Sequence, residues 1–286
     1  MRDQESGKDV EMSVRTSEWI QVGFAIILAA AAWVRPLPNY RRWIVTLLAA
    51  SAICAVAVAR SLVYFLAPLQ VSIIRDWLTA ALMLVPYWQT GQFFMGPNEK
   101  IQAALVAFDR KWLPGIAATS GTPHTRIGLS MEIAYLFCYP LVPLGLAVLY
   151  VAGLRQYTNV FWFVVLVSTY ICYAITPFVP ALPPRSIAGE QIPSPAPNVG
   201  RGFNRWILRH GSIHAISFPS AHVASSLATA LVLLWFVPLA GLVFLIVAVC
   251  IAVAAVVGRY HYALDVLLGA LTALVVFLSS YVYLKV

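Results

Sequence analysis

The fold is decided by residues 217–265, which read SFPSAHVASSLATALVLLWFVPLAGLVFLIVAVCIAVAAVVGRYHYALD. Between Arg209 and Arg259 no Lys, Arg, Asp or Glu interrupts the chain. Crossing the hydrocarbon core of a bilayer takes about 20 helical residues, so this run is long enough for two spans. Pro238 and Gly241 lie near its middle, where they favour a tight turn. We therefore predict two membrane helices joined by a short turn.

The rest of the chain has the same character. Of its 286 residues 61% are hydrophobic and 10% are charged, whereas about a quarter of an ordinary soluble domain is charged. Backbone polar groups in a bilayer need internal partners, and barrel strands would alternate polar and apolar residues, so these runs must be helices. The predicted fold class is all-α, a polytopic transmembrane bundle with about eight spans at 18–34, 42–66, 71–88, 129–151, 158–178, 219–238, 240–257 and 262–284.

A polar tail, residues 1–17, precedes the integral membrane domain, residues 18–286. The tail has mixed charge without the pattern of a cleaved signal, and we expect it to be flexible. Segment 71–88 is the weakest of the predicted spans. From Gln89 to Arg126, charged residues alternate with apolar residues at helical spacing, which predicts a helix lying on the membrane interface.

The formal net charge is +8, which in a soluble protein would raise the question of nucleic acid. Here anionic lipid headgroups are the expected partner, and no nucleic acid is expected. Arg35, Arg41 and Arg42 form a basic cluster beside a span, as expected for contact with a negative leaflet surface.

Three short segments carry costly polar residues at the ends of successive helices. They are Pro183-Pro184-Arg185, Phe218–His222 and Gly258–Asp265. The first follows the fifth predicted span, the second opens the sixth, and the third opens the eighth. Because successive spans alternate in direction, all three should meet at one membrane face.

His261 and Asp265 are four residues apart, which places both on one face of a helix within hydrogen-bonding reach. A carboxylate on one imidazole nitrogen fixes the tautomer and leaves the other nitrogen with its lone pair, as a nucleophile or base requires. A structural cap at the helix start explains this pair equally well when it is taken alone.

Ser220 and His222 open a predicted helix. Ser220 is a suitable N-cap, which requires no function. The free N–H groups and the dipole at a helix start also favour a bound phosphate. In that setting His222 could protonate a departing oxygen while Ser220 holds phosphoryl oxygens.

Arg185 and Arg259 complete the candidate site, because a guanidinium matches phosphate geometry and stays charged at any working pH. Each alone is better explained as an interface anchor. The convergence of two arginines, two histidines and an aspartate favours a function.

Arg201, Arg205 and Arg209 share a helical face that could be a basic rim or a solvated surface. No partner is predicted for His124, His210 and His214.

Four further ionisable residues lie within or beside spans, where charge is costly: Arg60, Arg75, Asp76 and Glu132. Each could hold a polar headgroup. Pairing among themselves, or extension of the side chain to the interface, is the favoured explanation.

From about Leu129 to the C-terminus, the sequence resembles the type-2 phosphatidic acid phosphatase superfamily, and within it the branch of the inositol phosphorylceramide synthases. Phe218–His222 resembles the second family motif. His261 to Asp265, followed by Gly269, resembles the third, and Pro183-Pro184-Arg185 resembles the arginine end of the first.

The resemblance implies a six-helix catalytic core with its motifs within residues 129–286. It implies that His261 attacks phosphorus to form a phosphohistidine, that Asp265 orients His261, and that His222 protonates the leaving group. Arg185 and Ser220 would bind the phosphate of a phospholipid or lipid phosphate, and a lipid alcohol could act as acceptor. It implies no metal or other cofactor.

The four cysteines, Cys54, Cys138, Cys172 and Cys250, lack ligand spacing and are expected to be core residues.

Two positions depart from the phosphatase pattern. The arginine expected six residues before the nucleophilic histidine is Ala255 here, and the nearby arginine is Arg259. Phe178 stands where a lysine is expected. These departures favour the synthase-like branch, and they make transfer to an alcohol credible beside hydrolysis.

Two other classes share some of these features. A membrane lipid transporter or lipid-binding protein predicts broken helices near mid-membrane and often repeat symmetry, and neither is visible in the sequence. Vanadate-dependent haloperoxidases have a related site, but their known forms are soluble.

The expected location is a multi-pass position in the cell membrane. With eight spans, the face that bears the basic clusters is also the catalytic face, and the positive-inside rule places it in the cytoplasm. The resemblance instead implies an extracytoplasmic catalytic face, so the orientation stays open.

Overall fold

The computed structural model describes residues 13–115, 126–187, 213 and 215–280. Within these ranges the regular structure is helical and contains no strand, which confirms the all-α prediction. The α-helices are α1 Thr16–Val34, α2 Asn39–Ser61, α3 Pro68–Leu82, α4 Leu84–Gly91, α5 Glu99–Trp112, α6 Arg126–Leu136, α7 Leu141–Val151, α8 Thr158–Ile175, α9 Ala221–Phe236, α10 Pro238–Val257 and α11 Ala263–Ser279.

Fewer helices reach spanning length than the eight predicted. In the described part of the chain, five segments are long and apolar enough to cross a membrane: Thr16–Val34, Asn39–Tyr64, Pro68–Gly91, Arg155–Phe178 and Pro238–Val257. One of them, Pro68–Gly91, contains the predicted span 71–88, which was the weakest of the eight. The pair α6 and α7 makes a sixth if it is counted as one span. The remaining two predicted spans correspond to α9 and α11, which have 16 and 17 residues.

The predicted span 129–151 is sharply bent. Leu129–Leu136 and Leu141–Val151 meet at 63°. Pro140 lies in this break, where it has no N–H to donate and its ring would clash with the carbonyl four residues earlier. The helix therefore ends at Leu136 and restarts at Leu141.

Helix α9 lies at the centre of the bundle, in contact with α7, α8, α10 and α11. Ala224 and Ala228 on α9 are fully buried, and such small residues allow membrane helices to approach closely. The turn expected at Pro238 and Gly241 is present between α9 and α10. A Cβ on Gly241 would lie 2.1 Å from the Leu234 backbone nitrogen, so this turn requires glycine.

Ion pairs connect the start of α1 with α3, and a hydrogen bond connects α3 with α7. The Arg75 Nε atom lies 2.6 Å from Glu18 Oε1, and Arg15 Nη1 lies 2.7 Å from Asp76 Oδ1. The Tyr150 hydroxyl donates to Asp76 Oδ2 at 2.6 Å. Arg75 and Asp76 thus have protein partners, but these are Glu18, Arg15 and Tyr150 rather than other members of the set that was expected to pair within itself.

Helix α5 is the predicted interface helix. Asn98 caps it by accepting hydrogen bonds from the N–H groups of Lys100 and Ile101. Leu105 is buried against Ala181 and Tyr262, among other residues. This helix therefore lies across the segment that leads to Arg185.

The basic cluster lies at this same end of the bundle. Arg41 Nη1 donates to the carbonyls of Gln92 and Phe94, at 3.0 and 2.6 Å. The Arg35 guanidinium lies 5.0 Å from the centre of the Phe178 ring, and the Asn98 N–H donates to the Pro180 carbonyl. The ion pairs of Arg15 and Arg75 lie at the opposite end of α1.

We predict that Arg75→Ala lowers the free energy of unfolding by about 3 to 5 kcal/mol, because it leaves the buried Glu18 carboxylate without its guanidinium partner. Arg35→Ala, which removes an exposed cation–π contact, should cost less than about 1 kcal/mol. Thermal unfolding of the two detergent-solubilised variants checks this difference. Equal stability of both variants would contradict it.

Candidate active site

Backbone hydrogen bonds join the three polar segments. The Arg185 N–H donates to the Arg259 carbonyl at 3.2 Å, and the Ser220 N–H donates to the Asp265 carbonyl at 2.9 Å. The main chain therefore brings the three segments to one end of the bundle, independently of their side chains.

His261 and Asp265 form a buried pair. His261 Nδ1 lies 3.0 Å from Asp265 Oδ2, and their side chains are 5% and 0% exposed. With the carboxylate accepting from Nδ1–H, the Nε2 atom keeps its lone pair. The expectation that both residues lie on one helix is wrong in detail, because His261 precedes α11 and only Asp265 lies in its first turn.

A tight turn delivers His261 to this position. Arg259 has a φ of 59°, a left-handed conformation that costs a non-glycine residue about 1 to 2 kcal/mol. The N–H groups of Tyr260 and His261 then both donate to the Ala255 carbonyl, at 2.9 and 3.0 Å. Ala255, where the phosphatase pattern has arginine, is fully buried.

His222 faces His261 from the start of α9. Their ring centroids are 5.9 Å apart and the ring planes are at 83°. Tyr139 and Tyr135 lie at 5.7 and 6.1 Å from the His222 ring, each in an edge-to-face arrangement. The bend between α6 and α7 brings these two tyrosines to the site.

Ser220 is the N-cap of α9. Its hydroxyl accepts from the Val223 N–H at 3.5 Å, and the residue is fully buried. The capping role considered for it is therefore present in the structure, and the α9 terminus remains a suitable anion site. A Cβ on Gly269 would lie 2.5 Å from the Ser220 carbonyl oxygen, so glycine permits this contact between α9 and α11.

Arg185 is exposed beside the histidines. Its guanidinium lies 4.4 Å from the centre of the Tyr260 ring, which stacks on Tyr135 with centroids 3.8 Å apart. The Tyr260 hydroxyl donates to Glu132 Oε2 at 2.5 Å. An aromatic stack anchored by a buried carboxylate thus supports the arginine.

Arg259 is bonded to Arg185 through the main chain, and it is 9% exposed. Its charge acts on Asp109 of α5, whose Oδ1 accepts from the Ala263 N–H at 3.0 Å. Asp109 thereby satisfies a free N–H at the start of α11. The two arginines predicted to bind one phosphate thus have different neighbours.

Several residues of this site were not predicted. Tyr135 and Tyr139 fall within an apolar run and give no signal of their own, and Tyr260 falls within the third polar segment, where no role was assigned to it. Glu132 was better explained by pairing, and it does pair, but with a tyrosine of the site. Asp109 falls four residues after the buried Leu105, on the apolar face of α5, and this spacing could have identified it.

The start of α9 lies at the same end of the bundle as the last turn of α10. Only Val237 separates these two helices, so they share one end and return the chain to the other. Ser220 and His222 at the start of α9 are therefore close to the turn that leads from α10 to His261.

Other predictions concern residues that the structure does not describe. Arg201, Arg205, Arg209, His124, His210 and His214 lie outside the described ranges. In the described part of the chain, no group of three or more His, Cys, Asp or Glu side chains could hold a metal ion. The four cysteines are free thiols.

Residues 103–279 match the family model described as the PAP2 superfamily. The match begins within α5 and ends with α11, so it includes each of the three polar segments. No curated protein and no solved structure matches the chain.

We predict that Asp109→Asn stabilises the protein at about pH 7.5 and has little effect below about pH 3.5. Burial raises the pKa of Asp109 from 3.8 to about 6; the hydrogen bond from Ala263 and the Arg259 charge oppose this rise, while Asp265 adds to it. The folded state therefore binds this proton more tightly than the unfolded state, and ionisation as the pH rises from about 4 to about 6 costs stability.

Thermal unfolding of wild type and Asp109→Asn at both pH values measures this effect. The asparagine keeps an oxygen that can accept from the Ala263 N–H, so the comparison isolates the charge. A difference in stability that is the same at both pH values would contradict the prediction.

Proposed function

Because this chain belongs to the PAP2 superfamily, we propose that it is a membrane enzyme of the phosphatase type that cleaves or transfers the phosphoester headgroup of a lipid. The observation that carries this proposal is the buried His261–Asp265 pair, 3.0 Å apart, facing His222 across 5.9 Å. One histidine is oriented to attack, and the other is placed to exchange a proton with the leaving or entering oxygen.

In the first half-reaction, His261 Nε2 attacks the phosphorus atom of the lipid. A nitrogen–phosphorus bond forms and the bond from phosphorus to the lipid oxygen breaks. Protonated His222 gives its proton to that oxygen, which leaves as a lipid alcohol such as diacylglycerol. Asp265 stabilises the positive charge that develops on His261.

The phosphoryl oxygens require positive partners during this step. Arg185 offers paired donors beside His222, and the N–H groups at the start of α9 offer further donors with a favourable dipole. Ser220 supports this terminus as its cap. Arg259 acts more indirectly, through the turn that sets the position of His261 and through its charge beside Asp109.

In the second half-reaction an oxygen nucleophile attacks phosphorus, the nitrogen–phosphorus bond breaks, and His222 accepts the proton of the nucleophile. With water the product is a free phosphate compound. With a lipid alcohol the product is a new phospholipid, which is transfer of the inositol phosphorylceramide synthase type.

A lipid transporter without catalysis is less well supported. A broken membrane helix is typical of transporters, and α6 and α7 form one. The break here lies beside His222 and supplies Tyr139 to the site, so it has an explanation within an enzyme.

The decisive experiment incubates purified protein with radiolabelled phosphatidic acid or phosphatidylinositol, with and without diacylglycerol or ceramide. We expect either phosphate release or an acceptor-dependent new phospholipid. His261→Ala should abolish either activity while it retains a monodisperse fold. Equal turnover by wild type and His261→Ala would exclude the nucleophilic role.

Substitutions of two buried carboxylates, Asp265 and Asp76, distinguish an effect on catalysis from an effect on stability. Asp265→Asn should lower kcat at least about 100-fold, because it disturbs the tautomer and charge of His261. Asp76→Asn, a buried change at the opposite end of the bundle, should lower thermal stability with kcat per folded molecule unchanged. A similar loss of kcat in both variants would indicate a general structural effect.

A further inference from the structure

An apolar groove lies beside the candidate site. It encloses about 560 Å³ between the interface helix α5, the last turns of α10 and the first turns of α11. The described residues that line it are aliphatic or aromatic, and they include Phe108, Trp112, Val253, Val256, Val266 and Leu267.

The groove and the phosphate site share the first turns of α11. Ala263, a lining residue, follows His261 by two positions and is bonded to Asp109 through its N–H. Val266 follows Asp265 directly and packs in the same cluster as Tyr260, whose ring contacts Arg185. A molecule with its phosphorus at His261 can therefore reach the groove within its own length.

The groove is also open toward the surrounding lipid. Val253 and Leu267 are 47% and 59% exposed, and Trp112 at its outer edge is 63% exposed. In a membrane these surfaces face hydrocarbon, so an acyl chain can enter sideways without crossing water.

We propose that this groove holds an acyl chain of the lipid whose phosphoester reacts at His261; this inference rests on the proposed function. The groove offers only apolar surface and lies next to a cationic phosphate site, and a phospholipid is the molecule that joins these two chemistries. Because bulk lipid is as apolar as the groove, occupation adds little affinity by itself. Its effect is to orient the headgroup, so that binding at a remote part of the substrate raises turnover.

The test fills the groove from its lipid-facing wall. Val253→Trp places an indole in the groove, and Val243→Trp is the matched control, because Val243 is 54% exposed near the other end of the same helix. Each variant is assayed with phosphatidic acid carrying two palmitoyl chains and with dibutyryl phosphatidic acid, whose chains are too short to occupy the groove.

We expect Val253→Trp to lower kcat/KM for the long-chain substrate about tenfold and to leave the short-chain substrate within about twofold of wild type. Val243→Trp should leave both values unchanged. An equal loss for both substrates, or no loss for either, would overturn the proposal.

A binding measurement keeps this inference separate from the catalytic proposal. Phosphatidic acid with a photoactivatable acyl chain should cross-link to peptides of α10 and α11 in wild type and in His261→Ala, and less in Val253→Trp. Cross-linking there by a protein without activity would reject the proposed function and retain the groove. Cross-linking spread equally over the lipid-facing helices would reject the groove.

Discussion

The arrangement of the site depends on one backbone hydrogen bond, from the Ser220 N–H to the Asp265 carbonyl. It holds the starts of α9 and α11 side by side, and so sets His222 opposite the His261–Asp265 pair. Close approach is possible only because Gly269 has no side chain to meet the Ser220 carbonyl. The glycine of the third motif and the serine of the second thus act together in packing, whatever further role the serine hydroxyl has.

Bringing the start of α11 beside the start of α9 requires a reversal of the chain after α10. The turn at Gly258 and Arg259 provides it, with Arg259 in a left-handed conformation. Positive charge also gathers around the three polar segments, because Arg185, Arg35 and Arg41 lie at this end of the bundle. Attraction of anionic headgroups and the positive-inside rule explain the position of these basic residues equally well.

The helical class and the meeting of three segments could be predicted, because apolar length and alternating helix direction are properties of sequence alone. The lengths of α9 and α11 could not: Ser220 was identified as an N-cap, but an apolar run does not mark where a helix ends, so the predicted spans 219–238 and 262–284 are longer than the two helices. The bend at Pro140 was missed for a related reason, because proline in a membrane run is often tolerated. Glu132 and Asp109 were assigned to no site because their partners, Tyr260 and the Ala263 N–H, are 128 and 154 residues away.

Helix α5 connects these features, and it is not among the described segments that are long and apolar enough to cross a membrane. Gln102 bonds both the Leu182 N–H and the Tyr262 hydroxyl, so it joins the segment before Arg185 to the residue after His261. About two turns further along α5, Asp109 bonds the start of α11, and Phe108 lines the groove. An amphipathic helix takes its depth from the membrane surface. The position of α5 is therefore coupled through these contacts to the segment before Arg185, to the start of α11 beside His261, and to the groove.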